Sequence, residues 1–168
     1  MIMTMGLLTP LARRIGAIGW LPRLLPQIAG LDTWLQSMSR GRLSLLGIAG
    51  LPNLLLIVAG RRSGLDRSTP LLCVPEGSGW LIAGSAFGGP RTPAWVKNLR
   101  AVGRARVVFR GSQQVVIAEE LSGDDRAAAW AVMCRVWPNY VRYEQRTTRL
   151  IPVFRLTPAE TSGGGQSR

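Results

Sequence analysis

Six consecutive apolar residues, Leu54-Leu55-Leu56-Ile57-Val58-Ala59, lead into a stretch of turn formers, and a second apolar run, Leu71-Leu72-Cys73-Val74, follows it. Two short apolar runs around a Gly, Ser and Asp cluster read as a β-hairpin with a long loop. Strands with nothing polar inside are usually buried on both faces. Such a hairpin lifts the intervening stretch, Gly60–Pro70, to one rim of the fold. That stretch carries Arg61, Arg62 and Arg67 together with the hydroxyls of Ser63, Ser68 and Thr69. Gly60 and Gly64 permit a tight turn or the close approach of a ligand. Arginine forks and hydroxyls on such a loop suit a phosphate or a carboxylate. A solvated turn, with arginines for solubility, is the plainer alternative.

The chain has 21 Lys+Arg against 9 Asp+Glu, a formal net charge of +12. That balance suits nucleic acid, an anionic membrane surface or a polyanionic ligand. The charge is not blocked, however, and Lys97 is the only lysine. A nucleic-acid module wants arginines and exposed aromatics interleaved on one face. Here the arginines are scattered and the tryptophans fall on apolar stripes, so no nucleic-acid partner is expected. The absence of histidine removes the Ser-His-Asp triad and most zinc chemistry, and no metal site is expected. Cys73 and Cys134 lack CxxC spacing and read as buried thiols in a reducing cytoplasm. There is no Walker A pattern, and no GxGxxG follows a strand. An enzyme built from this chain must borrow its chemistry from a cofactor.

Residues 1–38 read as an amphipathic helical arm, with Arg13, Arg14 and Arg23 set among Leu, Ile, Trp20, Pro22 and Pro26. The arginines break the apolar runs, which argues against a signal peptide. The arm suits either an anionic membrane face or packing over the domain. The expected location is the cytoplasm, with the arm as a candidate attachment to the inner face of the membrane. Leu31–Leu46 has helical spacing. Leu43–Gly60 is uncharged and nears the length of a membrane span, but Gly50, Pro52 and Asn53 interrupt it.

The main domain spans 39–158, and 159–168 reads as a flexible tail. After the arginine loop, the sequence predicts strands over Leu71–Val74 and Trp80–Ala83, then a small-residue loop, Gly84–Arg91. A helix follows, with Thr92 as N-cap and Pro93 at its first position. Strands over Arg104–Arg110 and Gln113–Leu121 flank a turn at Gly111-Ser112. Ser122-Gly123-Asp124-Asp125 caps a helix carrying Trp130, Met133, Cys134 and Trp137 on one stripe. A second helix, Asn139–Arg149, presents Tyr140 and Tyr143. The last strand, Ile151–Leu156, is expected at a sheet edge because of Pro152. About six short antiparallel strands with flanking helices predict an α+β fold, a small and partly open barrel.

From about Ser39 to Pro158 the chain also resembles the deazaflavin-dependent nitroreductases, also called F420H2-dependent quinone reductases. The matching pieces are Gly60-Arg61-Arg62-Ser63-Gly64 with Arg67, Thr69 and Pro70; Gly84-Ser85 with Gly88-Gly89; Pro93-Ala94-Trp95 with Asn98-Leu99; and Trp137-Pro138-Asn139-Tyr140 with Tyr143, Arg146 and Thr147. The resemblance implies a split β-barrel that binds reduced coenzyme F420. It implies that Arg61, Arg62 and Arg67, beside Ser63, hold the cofactor's phosphate. It carries Ser85, Gly88, Gly89, Trp95 and Asn98 over as ring-side or structural positions at the deazaflavin ring. Trp137, Tyr140 and Tyr143 would close the substrate side, and the acceptor's proton would come from a hydroxyl of Tyr140 or Tyr143 or from water. Many members have a tyrosine where this chain has Trp137, so a phenol is missing there. The implied acceptor is a quinone or a nitro compound. A flavin mononucleotide enzyme of the related split-barrel type is the nearest alternative, since the same clamp suits that phosphate. A non-catalytic basic protein of membrane surfaces or nucleic acids is the more distant one.

Overall fold

A computed structural model describes residues 51–159. The expected arm, the helix over Leu31–Leu46 and the tail beyond Ala159 lie outside the described residues. Six strands form a closed antiparallel barrel: β1 (Asn53–Ala59), β2 (Asp66–Glu76), β3 (Gly79–Ala83), β4 (Arg104–Phe109), β5 (Ser112–Glu120) and β6 (Val153–Pro158). Around the barrel the order is β1-β2-β3-β6-β5-β4, and β1 pairs with β4 to close it. The expected opening is therefore absent among the described strands. Helix α1 (Ala94–Val102) joins β3 to β4, and α2 (Gly123–Val136) and α3 (Asn139–Gln145) join β5 to β6. No helix among the described residues is long and apolar enough to cross a membrane.

The strand period of two divides the side chains between two cores. Leu54, Leu56 and Val58 of β1, Trp80 and Ile82 of β3, and Phe154 and Leu156 of β6 share one buried cluster with Trp95, Val96 and Leu99 of α1. This is the barrel interior, sealed by α1. The alternate residues Val74, Leu81, Ala83 and Val153 pack outward on Trp130, Met133, Trp137, Tyr140 and Tyr143 of the α2–α3 segment. β2, β3 and β6 are thus covered on both faces where they carry their apolar runs. β5 lacks such a cover, and Val115 and Ile117 stay exposed.

Several expectations are corrected. β2 begins at Asp66, not Leu71, because the seven residues of β1 pair in register with 66–72. Arg67, Ser68, Thr69 and Pro70 are therefore strand residues. The ladder from β2 to β3 starts only at Cys73, so Pro70 has a strand neighbour on one side. The β4–β5 turn is Arg110-Gly111, with φ of 51° and 83°, one residue earlier than expected. This two-residue form matches the twist of the strands it joins. β6 is not an edge; it pairs with β3 and β5. Pro152 lies just before it, where its carbonyl accepts the Gly84 N–H at 2.9 Å. Helix α1 starts at Ala94, because Pro93 has an extended ψ of 147° and occupies the cap position expected for Thr92. Helix α3 stops at Gln145, four residues short of the expected Arg149.

Candidate functional site

The β1–β2 loop, 60–65, closes on itself. Gly60 N–H donates to Leu65 O at 2.8 Å, and Gly64 N–H to Gly60 O at 2.7 Å. Gly64 has a φ of +68°, a conformation that favours glycine. Ser63 Oγ accepts the Leu65 N–H at 3.3 Å, so part of its capacity is used within the loop. The loop is tied to α1 by Asn98, whose Oδ1 accepts both the Arg61 backbone N–H, at 3.2 Å, and Arg61 Nη1, at 3.3 Å.

Between loop and helix lies a cleft of about 390 Å3, lined by Gly60, Arg61, Arg62, Ser63, Arg67, Ala94 and Asn98. Ala94 is the first residue of α1, so the positive end of the helix dipole meets the cleft. Charge pairing elsewhere sharpens the contrast. Arg100 binds Glu120 through two contacts of 2.6 Å, Arg155 binds Glu76 at 2.7 Å, and Arg126 lies 3.9 Å from Glu144. Arg61, Arg62 and Arg67 have no acidic partner among the described residues. Asp66, next to the clamp in sequence, is bound by Arg106. The cleft therefore keeps uncompensated positive charge on a tethered backbone, the chemistry of an anion site.

A second group of expected residues lies along the connection from β3 to α1. Ser85 leads into a 3-10 turn, Ala86–Gly88, that packs on α3. Gly88 is required there: a Cβ would fall 2.6 Å from Tyr143 O. Ala86 and Phe87 also have positive φ, 46° and 54°. Each non-glycine residue in that region costs on the order of 1–2 kcal/mol. Arg149 reaches back to this turn, with Nε donating to Gly89 O at 3.0 Å and Nη2 to Ser85 O at 2.8 Å.

The aromatic residues form a third group. Trp137, Tyr140 and Tyr143 are all buried in the outer core. Trp137 Nε1–H donates to Tyr143 Oη at 3.3 Å. The Phe87 and Tyr143 rings meet edge to face at 5.5 Å, which joins this group to the Ser85–Gly89 turn. Burial pushes the Tyr143 phenol up to about 12, against the opposing Trp137 hydrogen bond and the nearby Arg146 and Arg142 charges. Burial pushes Tyr140 up as well, with Tyr143 adding to it. Trp95 does not line the cleft; it sits in the barrel core with its ring 5.9 Å from Phe154.

The structure thus gathers Arg61, Arg62, Ser63, Arg67 and Asn98 into one cleft. Ser85, Gly88 and Gly89 form a turn between β3 and α1, while Trp137, Tyr140 and Tyr143 lie behind it. Sequence reasoning gave no role to Phe87 or Arg149. It offered the helix N-terminus as a favourable place for an anion, and the structure makes Ala94 its first residue because Pro93 takes the cap position. Arg149 acts on partners 60 and 64 residues away, and no local pattern reports such a contact.

A family model described as F420H(2)-dependent quinone reductase matches residues 32–158. An F420H(2)-dependent quinone reductase of Mycobacterium tuberculosis is 33% identical over 109 residues, covering 63% of this chain and 73% of that protein. A solved F420-H2 dependent reductase superposes with a TM-score of 0.59 at 32% identity, over 63% of this chain and 94% of that one. A structure described as a domain-swapped dimer gives 0.60 at 32% identity, over 63% and 80%. The haem storage protein HutZ of Vibrio cholerae, at 14% identity and a TM-score of 0.52 over 65% and 82%, shares the fold alone. With the family model spanning the barrel, the arginine loop and the α2–α3 segment alike, the chain belongs to the F420H(2)-dependent quinone reductase family.

Proposed function

We propose that this protein transfers hydride from reduced coenzyme F420 to a quinone-like or nitroaromatic acceptor. Family membership makes it an F420H2-dependent reductase. The observation that carries the reading for this chain is the cleft of three arginines, without acidic partners among the described residues, beside a helix N-terminus. Its donor set fits a phosphodiester. Arg61, Arg62 and Arg67 offer charged forks, and Asn98 presents its amide N–H2 because its oxygen is committed to Arg61. When bound, F420 supplies a hydride donor, which the protein itself lacks.

The chain's own residues grip and orient. The arginine loop would fix the phosphate, and its tether to α1 would fix the distance from there to the Ser85–Gly89 turn. Ser85, Gly88 and Gly89 are assigned to the ring side, through the turn they form. Tyr140 and Tyr143, with Trp137, are assigned to the acceptor side. Burial makes both phenols weaker acids than an exposed tyrosine, so either would give its proton only to an acceptor that already carries negative charge. The alternative cofactor, flavin mononucleotide, draws no support from a family defined by F420H2.

The test is a titration of the purified protein with F420 and, separately, with flavin mononucleotide, followed by oxidation of F420H2 with a soluble quinone and a nitroaromatic. Saturable binding of F420 alone and turnover with either acceptor are expected. Preference for flavin mononucleotide would overturn the reading.

A further inference from the structure

Ala86, Phe87 and Gly88 have φ of 46°, 54° and 80°, so three successive residues occupy the left-handed region. Two of them carry side chains that disfavour it. Both ends of the turn are held from outside by one guanidinium, through Ser85 O at 2.8 Å and Gly89 O at 3.0 Å. The remaining nitrogen of Arg149, Nη1, is buried without a hydrogen-bond partner among the described residues. An orphaned N–H destabilises a fold, and so does a left-handed alanine. Stability alone therefore accounts poorly for this residue at this place. Strain that the surroundings hold in place is characteristic of sites kept for their geometry.

We propose that Arg149 is a positioning residue that locks the Ser85–Gly89 turn in its left-handed form, and so sets the wall against which the cofactor ring lies. The inference rests on the reading that this turn borders the ring. The guanidinium suits the task because its planar fork presents parallel N–H groups to two carbonyls at once. Phe87 and Gly88 then press on Tyr143, which links the locked turn to the acceptor side. A lysine offers a single ammonium and cannot hold both ends in one plane.

The test uses the full chain and the variants Arg149→Ala, Arg149→Lys and Arg149→Ala with Ala86→Gly. Hydrogen exchange is read without cofactor at the Gly88 and Gly89 amides, which donate to Ser85 O at 2.9 Å and Ala86 O at 2.8 Å. Both single variants should speed exchange at these two amides at least tenfold, with the barrel amides unchanged. Adding Ala86→Gly should recover most of the protection, because glycine takes positive φ freely. With F420H2, Arg149→Ala should lower kcat about tenfold while cofactor Kd changes less than threefold, because the phosphate clamp is intact. Unchanged exchange in Arg149→Ala would overturn the lock. So would faster exchange across the whole barrel, or full recovery by lysine. Normal kcat with an opened turn would overturn the positioning role. If the wild-type protein binds no F420, the functional reading fails, while the exchange data still decide whether Arg149 locks the turn.

Discussion

Asn98 Oδ1 accepts two hydrogen bonds from one residue, the Arg61 backbone N–H at 3.2 Å and Arg61 Nη1 at 3.3 Å. Asn98 is 6% exposed and stands on α1, so the bond joins the arginine loop to a helix that seals the barrel. The pair ties the loop to the helix at the wall of the cleft, which Asn98 lines. Asn98→Asp keeps an acceptor for Arg61 but adds a negative charge to an anion site. Cofactor affinity should fall tenfold or more with little change in melting temperature. Asn98→Ala removes the acceptor and should lose stability as well, by about 1–3 kcal/mol. Fluorescence titration and a thermal melt separate the two. Unaltered affinity in Asn98→Asp would place the phosphate elsewhere.

Alkaline pH should weaken the fold from about pH 9 upward. Burial pushes the Cys73 thiol from 9.0 up to about 12, and the Tyr143 phenol from 10.0 up to about 12. The unfolded chain therefore loses these protons while the folded protein still holds them. Stability is complete below the unfolded values and falls as pH rises towards the folded ones. For Tyr143 the two-unit gap corresponds to about 3 kcal/mol. Urea midpoints across pH 8 to 10 should decline in the wild type and decline less in Cys73→Ala, since the thiol titrates first. Equal slopes would show that the thiol titrates as if it were exposed.

Tyr143→Phe tests the acceptor side. The change leaves Trp137 Nε1–H without its acceptor, so a loss of about 1–3 kcal/mol of stability is expected. If the phenol also serves the acceptor, turnover should fall several-fold at a temperature where the variant is folded, with cofactor affinity unchanged. Matched losses of affinity and turnover would confine Tyr143 to packing or to the cofactor pocket.

The strands were legible where burial is two-sided. Leu54–Val58 and Trp80–Ile82 leave little choice of structure for an uncharged run bounded by turn formers, and Phe154 and Leu156 flank Arg155 in strand alternation. The start of β2 was not legible, because Asp66–Pro70 is polar and becomes a strand only through its register with β1. Pro152 misled for a related reason: a proline forbids a donor in a ladder, but this one stands just outside the ladder. That Arg61, Arg62 and Arg67 lie together was readable because they are neighbours in sequence. The loop's anchor, Asn98, was readable as a ring-side residue or as one that bridges backbone, but its partner Arg61 was not, since the bond spans 37 residues. The lock by Arg149 left no sequence trace, since it depends on where α3 stops.

The arm remains an expectation from its sequence, arginines among apolar residues over 1–38. Such a segment should bind anionic vesicles more strongly than neutral ones, through both apolar burial and charge. Co-sedimentation of the full chain and of a chain beginning at Leu31 measures this. Equal, negligible binding by both would end the membrane-surface reading.

The decisive prediction concerns Arg61, Arg62 and Arg67. None has an acidic partner among the described residues, and all line one cleft. Charge-assisted hydrogen bonds to a phosphodiester are worth roughly 1.5–3 kcal/mol each. Single changes to alanine should therefore weaken F420 binding about tenfold to a hundredfold. Folding should change little for Arg62 and Arg67, within about 0.5 kcal/mol, as is usual for exposed residues. Arg61 should lose somewhat more, because its side chain also bonds Asn98. Binding should fall as salt rises, since a partly exposed clamp is screened. Losses spread evenly over arginines all along the chain would favour a diffuse polyanion surface instead. Wild-type affinity in all three variants would remove the loop from the cofactor site, and with it the observation on which the proposed function stands.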